Sequence, residues 1–508
     1  MSSAGIRSVS ARSRPRGKYS SGSASRPRST TSSSWRRSRS VTVSWLPMTY
    51  PSPPVRLGLV RRFANTSNVV WPQTVRRGDG GGGGGGVVSF RCSRGNVMRS
   101  LSRPATLLIV GALALTGAGL SPMPSVASAS ASASPVLDWS RIATQTIVAG
   151  RPPASSEVLL GIVHIAIADT VAGLGQGQPF RFAVRPDRKA SAAAAVATAT
   201  YDVLRARVPA SGLDGTYADY LAGVPDGGAK TRGITLGRTV AAAVLAWRAG
   251  DGLDNTVPYK QPPLGPGVWE PTAPTPPVDI VLTQVRPLAL RYRAQFRPGG
   301  PDPLTGKRYA RDVAEVASLG RKDSTTRTAK QSESAMFWSE QTAQQWSRAL
   351  LQLATDRHLS LGAAAQMLAL VHVSAGDSVI ACWDAKFHYL SWRPVHAIQR
   401  ADTDGNPRTQ ADPTWQSLLN VNHPEYPSGH ACFTAGAAGA LRAFFHTSNL
   451  RVVMSSVVTN TTRVYPDLSA VRSDVREARI VSGLHFRHSM NDGDILGTQV
   501  ARWIAARH

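Results

Sequence analysis

The chain has 508 residues and a formal net charge of +27, a surplus that by itself would favour an acidic partner such as a nucleic acid. However, 17 of its 58 Lys and Arg residues and only one of its 31 acidic residues precede Met98, so the remaining chain carries +11. The smaller charge of this part of the chain makes nucleic-acid binding a less favoured prediction. Only two of the three cysteines, Cys382 and Cys432, follow Met98, which is too few for a disulfide framework or a zinc site with four thiolates.

Residues 1–97 have the composition of a disordered segment. They are crowded with Ser, Arg, Pro and Gly, include an unbroken glycine run from Gly80 to Gly86, and lack a sustained apolar period. Such a segment cannot bury enough surface to offset the entropy of ordering it. We expect a disordered, basic, low-complexity extension, or residues that lie upstream of the true start of translation. A basic arm that binds nucleic acid is the rival interpretation, but regularly spaced aromatic residues are missing.

Residues 98–129 have the pattern of a secretory signal peptide. Arg99 and Arg103 precede an apolar run over 105–120, and small residues follow around 127–129. A buried helix could contain a similar run, but the basic flank and the Ala-Ser-Ala site favour export of a protein that begins at Met98. We expect no second apolar run long enough to span a membrane, and hence no stable membrane span after signal removal. In the exported chain Cys382 and Cys432 could pair, although two separate buried thiols are the expectation.

The remaining sequence, from 135 to 508, predicts a single all-α domain: a helical bundle with long Pro-rich connectors. Apolar residues recur with helical spacing, and alternating strand patterns are scarce. Eight prolines between 257 and 278 forbid regular helix there. The predicted helices are 156–174 capped by Ser156, 191–208, 235–247, one resuming at 335, 361–372 behind Ser360, 430–445, 450–464, 473–485 and 494–506.

Lys386 and Arg393 open the part of the sequence that carries chemistry. They stand seven residues apart, which on an α-helix is two turns and places both on one face, with Pro394 ending or kinking the helix. Two cations on one face can clamp an anion. A solvated basic face above packed tryptophans is the alternative for this segment when it is considered alone.

A turn-forming segment, Pro427-Ser428-Gly429, comes directly before an Ala-rich helix that begins at His430. The free amides and the positive end of the helix dipole can face an anion, Gly429 permits close approach of the backbone, and Ser428 adds a hydroxyl donor. The position of His430 suits proton transfer near neutral pH. A simple helix cap is the alternative function for Ser428.

Arg479 and His485 are six residues apart, a little less than two helical turns, and so could reach one ligand. The three segments together supply three cations, a hydroxyl, a glycine amide and two imidazoles. Lys and Arg form strong, charge-assisted hydrogen bonds with the oxygens of a tetrahedral oxyanion. One histidine could then bond the central atom while the other moves protons.

The order and spacing of these residues resemble those of the vanadium-dependent haloperoxidases and type 2 phosphatidic acid phosphatases, which share one oxyanion site on a helical bundle. The matching residues are Lys386, Arg393, Pro394, Pro427, Ser428, Gly429, His430, Arg479 and His485. Further segments, such as 162–166, 267–272, 324–328 and 483–487, are similar to secreted bacterial members of the haloperoxidase-like branch. The resemblance extends over about residues 140 to 508.

The resemblance implies a role for each matching residue. His485 would coordinate the vanadium of vanadate in a haloperoxidase, or attack phosphorus in a phosphatase. Lys386, Arg393, Arg479, Ser428 and the Gly429 amide would neutralise the anion's oxygens, and phosphate could occupy the same site. His430 would be the acid–base residue in either reaction.

Four positions bear on the details. Ala478 stands where the family usually has Ser, and Ser489 stands where many members have an acid that orients the last histidine, which leaves Asp492 as the nearest substitute. Trp383 and His423 occupy positions where family members have an aromatic residue or a histidine at the halide or substrate pocket. Core packing is the alternative for Trp383, and a solvated loop side chain is the alternative for His423.

The sequence thus predicts a secreted, vanadate-dependent haloperoxidase-like enzyme that oxidises a halide with hydrogen peroxide and passes it to an organic acceptor. A soluble secreted acid phosphatase that forms a phosphohistidine is the main alternative. The third possible function is that of a secreted protein that binds an oxyanion without turnover, but such a protein would not need the two histidines.

Overall fold

The computed structural model describes residues 134–210 and 212–508. The predictions for the extension, residues 1–97, and for the signal peptide, residues 98–129, lie outside these residues. Within them the expected all-α architecture is confirmed, since helices account for nearly all of the regular structure and the two strands are five residues each.

The helices of the described residues are numbered in chain order. They are α1 Pro135–Val148, α2 Pro153–Gly173, α3 Ala192–Arg207, α4 Leu213–Ala222, α5 Gly228–Arg248, α6 Lys307–Leu319, α7 Ala329–Phe337, α8 Thr342–Asp356, α9 Leu361–Tyr389, α10 Pro394–Gln399, α11 Gly429–Phe445, α12 Leu468–Val481 and α13 Arg487–Ala505. The strands are β1 Val452–Ser456 and β2 Thr461–Tyr465, and 3₁₀ turns cover Ile280–Thr283, Arg293–Phe296 and Ala401–Thr403.

Serine caps fix the start of three helices where the sequence predicts them. The hydroxyls of Ser191, Ser360 and Ser428 accept hydrogen bonds from the third residue of α3, α9 and α11, respectively. The other starts differ by several residues. Ser156 lies inside α2, which begins at Pro153, and its hydroxyl donates to the Arg151 carbonyl instead of capping the helix.

The centre of the bundle is formed by α2, α9 and α11, which are apolar on nearly all sides. α2 packs along α9, α9 along α11, and α11 along α13. Small residues allow these close approaches: a Cβ on Gly497 of α13 would lie 2.8 Å from the backbone nitrogen of Gly436 and 2.9 Å from the Cβ of Ala435. The bundle therefore holds α9 and α11, which both carry predicted site residues, in fixed contact.

Two of the central helices, α2 and α9, are long and apolar enough to span a membrane by length and composition alone. The sequence was expected to contain no second apolar run of membrane-spanning length after the signal peptide, and that expectation is wrong. Both helices are almost entirely buried within the bundle, and this burial accounts for their apolar composition.

A disulfide joins Cys382 of α9 to Cys432 of α11, with the two Cα atoms 6.4 Å apart. The expectation of two separate thiols is wrong, because helix packing places residues 50 positions apart within bonding distance. Cys382 is one turn before Lys386, and Cys432 is two residues after His430. The bond thus ties together the two helices that contribute these site residues.

The helix expected at 450–464 is also wrong, because this segment forms an antiparallel hairpin in which Val452 pairs with Tyr465. β1 contains two valines, and β2 contains two threonines and a valine; these β-branched side chains favour extended backbone. The turn ends at Asn460, whose positive φ of 52° is a conformation that asparagine tolerates.

Buried carboxylates hold the irregular connectors against the helices. Asp377 of α9 accepts hydrogen bonds from the backbone amides of Leu288, Ala289 and Leu290, at 2.6 to 2.7 Å. The predicted Pro-rich connector over 257–278 contains no helix, and Asp279 at its end accepts from the amides of Ala154 and Ser155 at the start of α2. The connector is therefore fixed across the end of the bundle where the predicted site residues lie.

Candidate oxyanion site

The structure brings the predicted site residues together from five parts of the fold. Lys386 lies in the last turn of α9, Arg393 is the N-cap of α10, and Arg479 lies in the last turn of α12. Ser428, Gly429 and His430 form the start of α11, and His485 lies in the loop between α12 and α13. All except His430, which is partly exposed, are buried. The sequence prediction of one shared site is consistent with this arrangement.

Lys386 and Arg393 do not share a helical face, and that part of the prediction is wrong. α9 ends at Tyr389, four residues of connection that include Arg393 follow, and Pro394 is the first residue of α10. Proline fits this position because the first helical residue needs no hydrogen-bonded amide. The two cations nevertheless converge, because both contact the loop that leads into α11.

Lys386 Nζ donates to three backbone carbonyls of that loop: those of Pro424 and Glu425, each at 3.0 Å, and that of Pro427 at 2.5 Å. The side chain is fully buried, and burial, together with the charge of Arg393, lowers its pKa well below the usual value. Lys386 thus holds the loop before Ser428 and adds positive charge under the site.

Arg393 connects the loop that carries His485 to the loop that carries His423. Its Nη1 donates to the Leu484 carbonyl at 2.8 Å and lies 3.4 Å from His485 Nε2. Its Nε donates to the His423 carbonyl at 2.7 Å, and its Nη2 lies 2.7 Å from His423 Nδ1. Burial lowers the pKa of Arg393 to about 9, which still leaves the guanidinium charged at neutral pH.

Arg479 reaches the same region from α12. Its Nη1 donates to the Trp338 carbonyl at 3.0 Å, while its Nε is buried and has no partner among the described residues. Burial lowers its pKa to about 10. An unpaired buried donor is costly unless a ligand or water satisfies it, so this nitrogen indicates a bound acceptor.

The cations outnumber the acids in this buried cluster. Among the described residues around the two histidines, one buried carboxylate, Glu425, accompanies three buried cations: Lys386, Arg393 and Arg479. The other acids near the cavity are satisfied elsewhere: Glu340 pairs with Arg348 at 2.7 Å, and Asp279 binds the amides of α2. Uncompensated buried charge is strongly unfavourable, so the cluster is built to hold an anion.

Glu425 orients His485, and sequence reasoning missed it. Its Oε1 lies 2.8 Å from His485 Nδ1 and also accepts the backbone amide of Phe486 at 3.1 Å. Since this oxygen is an acceptor, Nδ1 carries the proton and Nε2 presents its lone pair. Burial lowers the pKa of His485 well below its usual value, which keeps the ring neutral. His485 is therefore prepared to bind an electrophilic centre through Nε2.

The expected substitute, Asp492, does not orient His485. Its carboxylate accepts a short hydrogen bond from the Tyr426 hydroxyl and lies 3.4 Å from His488 Nε2. Ser489 stands at the position of the expected acid. Burial raises the pKa of Glu425 to about 7, although the charges of Arg393 and Lys386 lower it. The acid beside His485 therefore comes from the loop before Ser428, and not from the helix after His485. The signal available in the sequence was the position of Glu425, three residues before Ser428, in a site otherwise composed of cations.

His430 lines the same cavity as His485. Its Nε2 lies 3.1 Å from the Trp338 carbonyl, which can only accept, so Nε2 carries the proton. Burial, followed by the charge of Arg479, lowers its pKa well below the usual value. His430 is therefore neutral, and its Nδ1, which has no hydrogen-bond partner in the described chain, can accept a proton.

Ser428 caps α11, which is the alternative function predicted for it from the sequence. Its hydroxyl accepts a weak hydrogen bond from the Ala431 amide at 3.5 Å. A hydroxyl that accepts in this way still has its proton to donate to an anion. Gly429 is packed under Trp383, since a Cβ would lie 3.0 Å from the indole ring. The first amides of α11 have no intrahelical acceptor and are available to a ligand.

Trp383 and His423 both lie at the cavity above the anion site. The indole Nε1 of Trp383 donates to the Val278 carbonyl at 3.0 Å, and its ring centroid is 5.1 Å from that of His423. His423 is held by Arg393, and burial together with Arg393 and Lys386 lowers its pKa. His423 is therefore not a solvated loop side chain, and Trp383 combines core packing with a place in the cavity wall.

A cavity of about 730 Å³ leads from the surface to this cluster. His430, Arg479, His485 and Gly429 line it, as do Trp383 and His423. Lys386, Arg393 and Ser428 are not part of its wall and act from behind it. The cavity therefore gives small molecules access to both histidines and Arg479, while Lys386 and Arg393 stay away from bulk water.

Comparisons with known proteins agree with this arrangement. Residues 366–508 match the family model described as the VCPO second helical-bundle domain. No curated protein matches the chain. Three solved structures are similar in fold. The first is a bacterial vanadium-dependent iodoperoxidase, with a TM-score of 0.62 and 19% identity; the match covers 73% of this chain and 96% of that one. The others are the apo and holo forms of a bacterial vanadium-dependent chloroperoxidase, each 16% identical, with TM-scores of 0.59 and 0.58; the matches cover 72% and 71% of this chain and 97% and 94% of those chains.

The family match covers α10 to α13 and most of α9, which are the elements that carry Lys386, Arg393, His430, Arg479 and His485. The structural likenesses extend the same fold over most of the described residues. The resemblance inferred from the sequence is confirmed to this extent: residues 366–508 match the VCPO second helical-bundle domain, and the chain shares the fold of the bacterial vanadium-dependent iodoperoxidase and chloroperoxidase.

Proposed function

We propose that the protein is a vanadate-dependent haloperoxidase that oxidises a halide ion with hydrogen peroxide. The observation that carries the proposal is the pairing of His485 with Glu425, which leaves Nε2 unprotonated at the end of a cavity surrounded by three buried cations. Neutral imidazole is a good ligand for a metal centre, and the cations match the charge of a tetrahedral oxyanion.

The donor set fits vanadate by charge and chemistry. His485 Nε2 would bind the vanadium, and Arg479 Nε, the Ser428 hydroxyl and the first amides of α11 would bind the oxygens. Lys386 and Arg393, whose donors are largely taken by carbonyls, would stabilise the anion mainly through their charge. When bound, vanadate would supply the Lewis-acid centre that activates peroxide towards the halide.

Halide oxidation transfers two electrons from the halide to peroxide, breaks the O–O bond and consumes one proton, so that hypohalous acid and water form. His430, neutral and with a free Nδ1, is placed to accept a proton from incoming peroxide and return it to the leaving oxygen. Trp383 and His423 would border the halide, with the buried guanidinium of Arg393 behind His423. These roles derive from the positions of the side chains around the cavity.

Iodide oxidation tests the proposal without any organic acceptor. The vanadate-free protein is mixed with orthovanadate, iodide and hydrogen peroxide, and triiodide formation is followed by absorbance. We expect activity that requires vanadate and that phosphate suppresses. His485→Ala should abolish it, whereas His388→Ala, which changes an exposed histidine of α9, should retain it.

An acid phosphatase is the second candidate, and the oriented Nε2 of His485 favours it as well, because the same lone pair could attack phosphorus. Hydrolysis of an aryl phosphate, suppressed by vanadate, in the absence of triiodide formation would replace the first proposal by this one. If phosphate binds and neither reaction occurs, the protein is an oxyanion-binding protein.

We also propose that the protein is exported. The proposal rests on the signal-like residues 98–129 and is supported by the buried disulfide, since disulfides persist mainly in oxidising compartments. Detection of the mature chain in the culture medium, cleaved near residue 129, tests it.

A further inference from the structure

A second cavity, of about 330 Å³, borders Glu425, the acid that orients His485. It shares no wall residue with the cavity that leads to the two histidines. Three exposed prolines, Pro266, Pro301 and Pro303, lie on its wall, so it opens to the surface. At water's share of about 30 Å³ per molecule, its volume holds roughly eleven water molecules, or an organic molecule of about ten non-hydrogen atoms.

Aromatic side chains form much of the wall of this second cavity. Tyr309, Trp392, Tyr426 and Phe486 line it, and all four are buried. The rings of Tyr309 and Phe486 pack against each other, with their centroids 5.9 Å apart. Aromatic rings bury apolar groups and, through their faces, attract cations. The wall therefore suits a ligand that combines an apolar body with a positive charge.

Three aspartates surround His488 at one end of the cavity. Its Nε2 lies 3.6 Å from Asp302 and 3.4 Å from Asp492, and its backbone amide donates to Asp312 at 2.8 Å. Asp302 pairs with Arg308, whereas Asp312 and Asp492 form no ion pair with a lysine or arginine in the part of the chain that the structure describes. Even with His488 protonated, three carboxylates face two cations, so this end of the cavity keeps a negative charge.

Asp312 lines the cavity and is 8% exposed, without a cation of its own. Burial raises its pKa, and the charges of Asp302 and Glu315 raise it further, as expected for a carboxylate that is not neutralised. A buried charge is unfavourable unless it is paired. Glu425, another acid of the wall, already has two buried cations beside it. The positive charge of a ligand would therefore gain most beside Asp312.

Three buried polar atoms on the wall also lack a hydrogen-bond partner among residues 134–210 and 212–508. They are the Tyr309 hydroxyl, the Trp392 indole nitrogen and the Ser489 hydroxyl. The Tyr309 hydroxyl has Trp392 and Asp404 as neighbours, and Ser489 has Glu425, but none of these contacts has the geometry of a hydrogen bond. Buried polar groups are costly without a partner, so these atoms indicate a ligand or water in the cavity.

We propose that the second cavity binds a small organic molecule with a protonated primary amine, whose ammonium group lies beside Asp312 and Asp302 and whose apolar body lies against the aromatic wall. A primary ammonium has three N–H donors, which match a carboxylate and the two hydroxyls of the wall. The described residues contain no group of three or more His, Cys, Asp or Glu side chains placed to hold a metal ion, which favours an organic cation. The inference concerns binding and does not depend on the proposed haloperoxidase function.

Three probes of similar size and different charge test the inference. Benzylammonium, benzyl alcohol and benzoate are each titrated against vanadate-free protein, and dissociation constants are obtained from the broadening of the ligand NMR signals. We expect benzylammonium to bind at least about tenfold more tightly than benzyl alcohol, because a hydrogen bond to a charged group is stronger than one between neutral groups. Benzoate should bind more weakly than either. Equal affinities for benzylammonium and benzyl alcohol, or no binding of benzylammonium, would overturn the proposal.

Variants of the wall localise the binding. Asp312→Asn keeps an acceptor for the His488 amide but removes the charge, so it should weaken benzylammonium binding at least about tenfold and leave benzyl alcohol binding unchanged. Leu304→Trp fills part of the cavity and should weaken the binding of both. Asp226→Asn, at an aspartate whose side chain is 96% exposed, is the matched control and should change neither. An equal effect of Asp226→Asn, or no effect of Asp312→Asn and Leu304→Trp, would contradict the assignment.

Thermal unfolding shows whether each variant is folded. If Asp312→Asn does not fold, Asp302→Asn removes the neighbouring charge instead and should weaken benzylammonium binding in the same direction; unchanged binding would refute the inference. The triiodide assay keeps the two proposals apart. Iodide oxidation without benzylammonium binding would leave the haloperoxidase function standing and end this inference, whereas benzylammonium binding without iodide oxidation would do the reverse.

Discussion

Replacement of Glu425 by alanine tests the central contact of the site. The change removes the acceptor 2.8 Å from His485 Nδ1, so the ring loses both its orientation and the tautomer that leaves Nε2 free. It also removes a negative charge near the anion, which by itself strengthens the binding of any oxyanion. The two effects have opposite signs and can be separated by comparing two anions.

In the proposed site, orthovanadate would bind through His485 Nε2, whereas phosphate would be held by charge and hydrogen bonds alone. A hydrogen bond to a charged group contributes about 1.5–3 kcal/mol, so Glu425→Ala should lower vanadate affinity relative to phosphate affinity by about 10- to 150-fold. Titration calorimetry with each anion gives the two dissociation constants, and their ratio cancels the shared charge effect.

Two control variants accompany this measurement. Asp492→Ala removes the acid that sequence reasoning assigned to His485, but Asp492 binds Tyr426 and lies near His488, so the ratio should not change. Glu477→Ala removes a surface carboxylate that pairs with Arg487 and should leave the ratio as it is. The assignment of Glu425 is refuted if its variant retains the wild-type ratio, or if Asp492→Ala lowers it equally.

Three further predictions concern stability. Gly497→Ala should lower the free energy of unfolding by about 1–3 kcal/mol or more, because the added Cβ meets the backbone of α11, and urea denaturation measures the loss. Cys382→Ala/Cys432→Ala should cost about 4 kcal/mol, since the disulfide spans 50 residues; reduced wild-type protein should unfold at the same urea concentration as the double variant. Burial lowers the pKa of His372 to about 3, so its neutral form contributes stability that is complete above about pH 6.5 and is lost as the pH falls towards 3. His372→Gln should reduce the fall in melting temperature between pH 7 and 5, and an unchanged fall would contradict this origin.

Much of the site could be predicted because its residues lie in short motifs. Ser428, Gly429 and His430 are consecutive, and their functions depend on the start of one helix, which local sequence determines. The same holds for the helices capped by Ser191 and Ser360. Where the placement of a residue depends on local backbone, the sequence was sufficient to predict that placement.

The remaining features depend on tertiary contacts. Glu425 lies 60 residues from His485, and nothing in the spacing shows that the loop returns to that ring. The disulfide likewise depends on the packing of α9 against α11. The segment that forms β1 and β2 was predicted as a helix from the helical spacing of its apolar residues, and not as strands from its β-branched residues. In the structure, pairing between the two strands determines its conformation.

The Pro-rich connector has a consequence for how the specificity of such a protein can evolve. Its residues Thr272, Ala273 and Val278 form one wall of the cavity, yet they belong to no helix of the bundle and provide none of the side chains of the oxyanion site. Mutations in this stretch can therefore change which molecules enter the cavity while the residues of the oxyanion site stay in place. We expect sequence divergence among relatives to be greatest here.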